Sequence, residues 1–193
     1  MKHLLIHLKL IIVAAIWGVG WPAGRVIALE IAPFAASWIR YVVAVVFFLV
    51  YLRLSDKWMI PTRDEWKRIA WIGFFSTCLY QAFFMTGMKY TAAGDASLMI
   101  TFNPFFTAIL AIIFLKEAMH WRLGAGISLG ISGVAVLFFY SPNVDIPFFD
   151  RALGDVLIAG AAFAWACNTI QMKKAMTEPA ADSGRCLSPL QLT

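Results

Sequence analysis

The chain has 193 residues, of which 61% are hydrophobic and 14% charged, with a formal net charge of +5. Soluble domains carry about 45–50% apolar and about 25% charged residues, so this chain lacks the polar surface a water-exposed fold needs, and lipid is the expected solvent. The basic residues fall between apolar runs rather than along one face, which excludes a nucleic-acid partner as their meaning.

Six apolar runs, each close to the roughly 20 residues a helix needs to cross a bilayer, predict an all-α membrane protein with a bundle of six transmembrane helices. The first spans Leu10 to Gly24, with Leu4 to Leu8 extending it past Lys9, and reads as an uncleaved span rather than a signal peptide. The second, Phe34 to Leu52, is interrupted only by Arg40. Ile69 to Met88 and Ala96 to Leu115 are uncharged; Leu123 to Tyr140 and Val156 to Met172 follow. Residues 53–68 form the longest connection, while "KYTAAGD" and "KEAMHWR" read as tight turns. "SPNVDIPFFDRALGD" reads as a loop, and the polar, breaker-rich tail 177–193 is expected to be disordered.

With the N-terminus inside, Lys2, Lys9, Arg53, Lys57, Arg63, Lys67, Arg68, Lys116, Arg122, Lys173, Lys174 and Arg185 are cytoplasmic. Lys89 and Arg151 are outside, with Arg25 close to that surface. This bias predicts a multi-pass protein of the cytoplasmic membrane with both termini in the cytoplasm. Trp21, Trp38, Tyr90 and Tyr140 fall near the outer boundaries and Trp58, Trp66, Trp71 and Trp121 near the inner ones, as interfacial anchors do.

Polar residues at membrane depth mark a wall that faces a cavity or a neighbouring helix rather than lipid. In "TFNPFFTAILAIIFLKE" Pro104 cannot donate to the Ile100 carbonyl, so a kink is expected, with Asn103, Thr101 and Thr107 near enough to take part. Pro22 is a second candidate kink. Tyr80 and Gln81 lie mid-span in the third run; Trp165, Asn168 and Gln171 lie in the sixth. Gly20 and Gly24, and Gly126, Gly130 and Gly133, put small residues on one helix face and are expected to pack closely. Arg40 is either a functional intramembrane charge or a snorkelling side chain, and snorkelling is the expectation for Arg25. Asp95 is expected to cap the fourth helix. Glu117 marks the water boundary or carries a proton. Cys78, Cys167 and Cys186 lack metal-ligand spacing and read as apolar fillers, and His3, His7 and His120 are terminal or interfacial, so neither a metal nor a cofactor is expected. No acid/base cluster points to an enzyme.

"AAIWGVGW" (14–21) can be laid over "AFAWACNT" (162–169), matching Ala14 with Ala162 and Trp17 with Trp165. Five crossings separate the two tryptophans, so the echo has the pattern of an inverted-topology repeat, whose substrate site lies where the repeats meet.

The chain resembles the EamA-type members of the drug/metabolite transporter superfamily. "AAIWGVGWPAG" resembles their opening helix and "WIRYVVAVVFFLV" their second, with Arg40 in the place of the family's arginine. "TFNPFFTAILAIIFLKEAMHWRLGAGISLGISGVAVL" is the most specific segment; Pro104, Glu117, Gly124, Gly130 and Gly133 fall on the family pattern. The resemblance implies residues 1–140 as a five-helix repeat, 141–152 as an extracytoplasmic loop and 153–176 as the first helix of a second repeat. The family has ten helices in two inverted repeats, so the chain is expected to be a fragment or a truncated product. It also implies a secondary transporter, an exporter of small metabolites or amino acids, with lipid and a small-molecule substrate as partners. Trp17, Tyr80, Gln81, Asn103, Trp165 and Asn168 are the cavity candidates. A membrane assembly or interaction module without transport is the alternative, and a second copy of the chain, as a homo-oligomer, is a further candidate partner.

Overall fold

A computed structural model describes residues 2–54, 60–118, 120–140 and 145–187, and every regular element among them is helical. Helix α1 (Lys2–Glu30) runs through Pro22 and α2 (Pro33–Leu54) follows. Next come α3 (Arg63–Gly73), a π-helical turn (Phe74–Leu79) and α4 (Tyr80–Tyr90), end to end. Then α5 (Ala93–Met99), a 3-10 turn (Ile100–Phe102) and α6 (Asn103–Leu115) form a second composite rod. Helices α7 (Trp121–Tyr140) and α8 (Phe148–Thr177) complete the order. Among the described residues five helices, rather than the expected six, are long and apolar enough to cross a membrane: residues 5–30, 35–54, 63–90, 93–115 and 148–177; Trp121–Val136 of α7 is a shorter apolar helix.

Helix α8 is the hub. Half of its most apolar window is buried, against 6% for that of α1 or α2. Its buried face is made of small side chains: Ala161, Ala162, Ala164 and Ala166 are all 0% exposed. Such residues let neighbouring backbones approach, which is how helices gain contact in lipid, where no hydrophobic drive separates them from the solvent. It packs against α4 and α6 most extensively and also meets α3 and α5. The closest approaches are at glycines of α4 and α8. A Cβ on Gly87 would lie 2.9 Å from Ile158 Cδ1, and one on Gly154 would lie 2.6 Å from the Thr91 nitrogen.

Within this chain the expected packing glycines are mostly without a neighbour. Gly20, Gly126, Gly130 and Gly133 face open space, with nothing within 4 Å of a Cβ built on them. Gly24 alone of the expected set packs, with Met88 Cε at 3.5 Å.

Other expectations move as well. Residues 63–68 are not connection but the first turns of α3, started by Thr62, whose backbone N–H donates to the Glu65 carboxylate at 2.9 Å. The loop expected over 141–152 ends at Pro147, because α8 begins at Phe148. The start of the tail is held: Ala180 and Leu187 are 2% and 3% exposed. Asp182 accepts the Thr62 hydroxyl at 2.9 Å and the Asp64 N–H at 3.0 Å. The Arg68 guanidinium donates to the carbonyls of Glu178 and Pro179. Residues 188–193, and Lys57 and Trp58 of the expected inner face, lie outside the described residues.

Asp95 is not a cap. The N-cap position of α5 is Ala92, and Asp95 sits buried within the first turn. Pro104 falls in the first turn of α6, where a missing N–H is least costly. The 3-10 turn before it solves the problem Pro104 poses, because the Asn103 N–H donates to the Ile100 carbonyl that the proline leaves free. The Thr101 hydroxyl donates to Leu98 O at 2.5 Å, and Thr107 donates to the Asn103 side-chain oxygen at 3.0 Å. Helix α6 ends at Lys116, which takes a left-handed conformation with φ 53°.

Candidate functional site

Four aromatic rings form a chain across α1, α4 and α8. Trp21 meets Phe84 at 5.5 Å between centroids, Phe84 stacks on Tyr80 at 5.5 Å, and Tyr80 meets Trp165 at 5.3 Å. Helix periodicity sets this order: Tyr80 and Phe84 are four residues apart, so their rings lie one above the other on the face turned to α8.

The π turn just before them fixes that face. The Tyr80 N–H reaches back five residues to Phe75 O, which offsets the side chains on either side of the turn. π turns within α-helices occur often at functional sites. Nothing in "FFSTCL" announces this one, which has neither proline nor glycine. Ser76, inside it, donates to Ile72 O at 2.8 Å.

Gln81 is 5% exposed and borders the space beside α2. With Ser37, Trp38, Tyr41, Thr77 and Cys78 it lines a groove of about 620 Å³ between α2 and the π turn. Arg40 is exposed on α2. Tyr80 thus belongs to the aromatic chain and Gln81 to the groove.

Asn168 lies one turn beyond Trp165 on α8 and is 2% exposed. Its nitrogen makes a weak contact with Met172 Sδ at 3.7 Å, and its side-chain oxygen is buried with no hydrogen-bond partner among the described residues. An unpaired acceptor at this depth is a rare feature and calls for a reason. Asn103 is half-buried on α6 and engaged with Thr107. Phe106, on the same helix, meets Phe163 of α8 at 5.5 Å.

Of the six cavity candidates, then, Tyr80 and Trp165 are brought into contact and Asn168 follows on the same helix. Gln81 joins the α2 groove and Asn103 stands apart on α6. Trp17 is 70% exposed, one turn from Trp21, which makes the ring contact in its stead. Gln171 is exposed. Glu117 pairs with Lys173 of α8, both side chains about half exposed. Arg25 does more than reach the interface: its guanidinium donates to the Met88 carbonyl near the end of α4. Among the described residues no group of three His, Cys, Asp or Glu side chains could hold a metal.

Sequence reasoning missed a second polar group, where α4 turns into α5 beside α8. Thr91, Asp95, Arg151 and Asp155 are all buried there, and the Thr91 hydroxyl donates to Asp155 Oδ1 at 2.6 Å. The signal available was Arg151 and Asp155 of "FFDRALGD", one helical turn apart beside an apolar run, hidden by reading that stretch as loop.

A bundle of apolar helices with aromatic and amide groups turned inward defines a multi-pass membrane protein. Residues 4–139 match the EamA-like transporter family, and the chain belongs to that family. A Bacillus subtilis protein named "Uncharacterized transporter" is 26% identical over 167 residues, covering 86% of this chain and 53% of its own length. A "Probable amino-acid metabolite efflux pump" of Escherichia coli is 41% identical over 85 residues, 44% of this chain and 27% of the pump. A "Probable terminal-alkyne amino-acid exporter" of Streptantibioticus cattleyicolor is 38% identical over 77 residues, 40% of this chain and 26% of that exporter. The chain spans about half the length of the curated relatives it matches over most of its own residues. No solved structure matches it significantly.

Proposed function

We propose that the chain forms part of a secondary transporter that exports small metabolites or amino acids across the cytoplasmic membrane. Family membership and the efflux and exporter names of two relatives support this reading. The observation that carries it is the Tyr80–Trp165 contact with the unpaired Asn168 oxygen one turn away. Aromatic faces enclose the apolar or cationic part of a small solute. The free amide oxygen accepts from an ammonium or amide donor, which suits amino-acid-like cargo. The amide is buried and the ring pair half-buried in this arrangement, so solute reaches the amide after α4 and α8 move apart, with the π turn and the 3-10 turn before Pro104 as points of bending.

In this reading α8 opens a second, inverted repeat, and the full transporter has ten helices with both ends of the present chain on the cytoplasmic side. The inverted echo of Trp17 and Trp165 and the greater length of the relatives support it. The exposed faces of α1, α2 and α7 then meet lipid, the rest of the transporter or a second copy. Those same faces favour a second reading, a membrane assembly module without transport.

Flux in liposomes separates the two. Purified protein should move amino-acid-like solutes faster than protein-free vesicles, and Asn168→Leu should abolish the excess while leaving the helical content unchanged. Well-folded protein without flux would favour the assembly module.

A further inference from the structure

Three charged side chains are buried together where the α4–α5 turn meets the first turns of α8. Asp155 is 0% exposed, Asp95 2% and Arg151 6%. The Thr91 hydroxyl occupies one oxygen of Asp155. The other oxygen, Oδ2, is buried with no hydrogen-bond partner among the described residues. The site is tight: even a Cβ on the neighbouring Gly154 would collide with Thr91. An ionised oxygen held without a donor in such a place is strongly disfavoured, whereas a neutral carboxyl costs far less to bury.

Charge counting points the same way. Fully ionised, two carboxylates and one guanidinium leave one excess negative charge. One proton removes it.

We propose that Asp155 binds a single proton, and that its gain or loss sets how tightly α8 holds the α4–α5 turn. The charged groups facing it are Asp95 of α5 and Arg151 of its own helix, with the Thr91 hydroxyl from the turn. Nearby on other elements, Lys89 is exposed and Arg25 of α1 is engaged by the Met88 carbonyl. With the proton bound, the neutral cluster stays dry and the helices remain in contact. With the proton lost to water, the excess charge draws in water and separates the turn from α8. Coupling of this proton to solute movement rests on the transporter reading; the proton site itself does not.

Infrared spectroscopy of the full chain in lipid nanodiscs, titrated over pH, reads protonated carboxyl groups by their C=O band. The expected result is a band that persists at neutral pH, is lost in Asp155→Asn and is retained in Glu117→Gln. A band unchanged in Asp155→Asn, or no protonated carboxyl at neutral pH, overturns the assignment. If Asp155→Asn does not fold, Thr91→Val reads the same group. Removing the donor to Oδ1 should shift the band, and an unmoved band overturns the proposal. Flux is not the readout, so a chain that transports nothing can still carry the proton site.

Discussion

Trp165 of α8 lies against Tyr80 of α4, with ring centroids 5.3 Å apart and planes inclined at 58°. An aromatic pair of this kind is worth about 0.5–1.5 kcal/mol beyond the area it buries. Tyr80→Phe keeps the ring and should leave stability within about 0.5 kcal/mol of the parent, since the change deletes only a hydroxyl. Trp165→Ala empties a partly buried site and should cost about 3 kcal/mol, approaching the range for large aromatic truncations. Thermal unfolding in detergent measures both. In flux assays, Trp165→Ala should lose solute movement and Tyr80→Phe should retain most of it.

Glycine substitutions should divide by position. Gly154→Ala drives a methyl into the Thr91 backbone at 2.6 Å, which no side-chain rotation relieves, so a loss of about 1–3 kcal/mol is expected. Gly130→Ala meets nothing within 4 Å and replaces a poor helix former, so it should be neutral or stabilising by up to about 1 kcal/mol. A destabilisation by Gly130→Ala in the intact membrane protein would reveal a partner on that face of α7.

The segment after α8 should respond to acid. The Asp64 N–H, and then the Thr62 hydroxyl, hold the Asp182 carboxyl below the usual carboxylate range. Its contribution to holding that segment is therefore complete above the ordinary carboxylate pKa of about 4 and is lost as pH falls through the lowered value. Hydrogen exchange at the Leu187 amide, which donates to Ala175 O, should accelerate on acidification once corrected for intrinsic rates. Asp182→Asn should show the faster exchange already at neutral pH.

Glu117 and Lys173 form an exposed pair, and such pairs contribute about 0–1 kcal/mol. Glu117→Gln should accordingly leave thermal stability almost unchanged. The pH profile of flux should keep its shape in this variant, because the buried acid proposed to titrate is Asp155. A displaced profile would return Glu117 to the proton path.

Lys116 holds φ at 53° to end α6, a conformation that a side chain makes unfavourable. Lys116→Gly should raise stability by about 1 kcal/mol, read as a higher unfolding temperature at unchanged helical content.

The legible features were those written in local chemistry. Apolar run lengths located five of the six expected spans, the run over Leu123 to Tyr140 giving only a shorter apolar helix, and Pro104 marked the break between α5 and α6. Tyr80, Trp165 and Asn168 stood out because polar and aromatic groups at that depth are uncommon. The π turn was not legible because "FFSTCL" holds neither a proline nor a glycine to mark a break in the helix. The hold of Asp182 on Thr62 joins residues 120 apart in sequence, and no local pattern reports such a pairing. Gly126 and Gly130 show the opposite failure: a spacing that permits close packing does not require a partner within the same chain.

The helix that binds the others follows all of them in the chain. Seven helices leave the ribosome before α8, and until Phe148–Thr177 follows, Gly87 lacks the Ile158 side chain it fits and Tyr80 lacks Trp165. Membrane insertion and assembly are thereby separated in time. Until then the earlier helices have only their contacts with one another, as between α1 and α4 or α2 and α4.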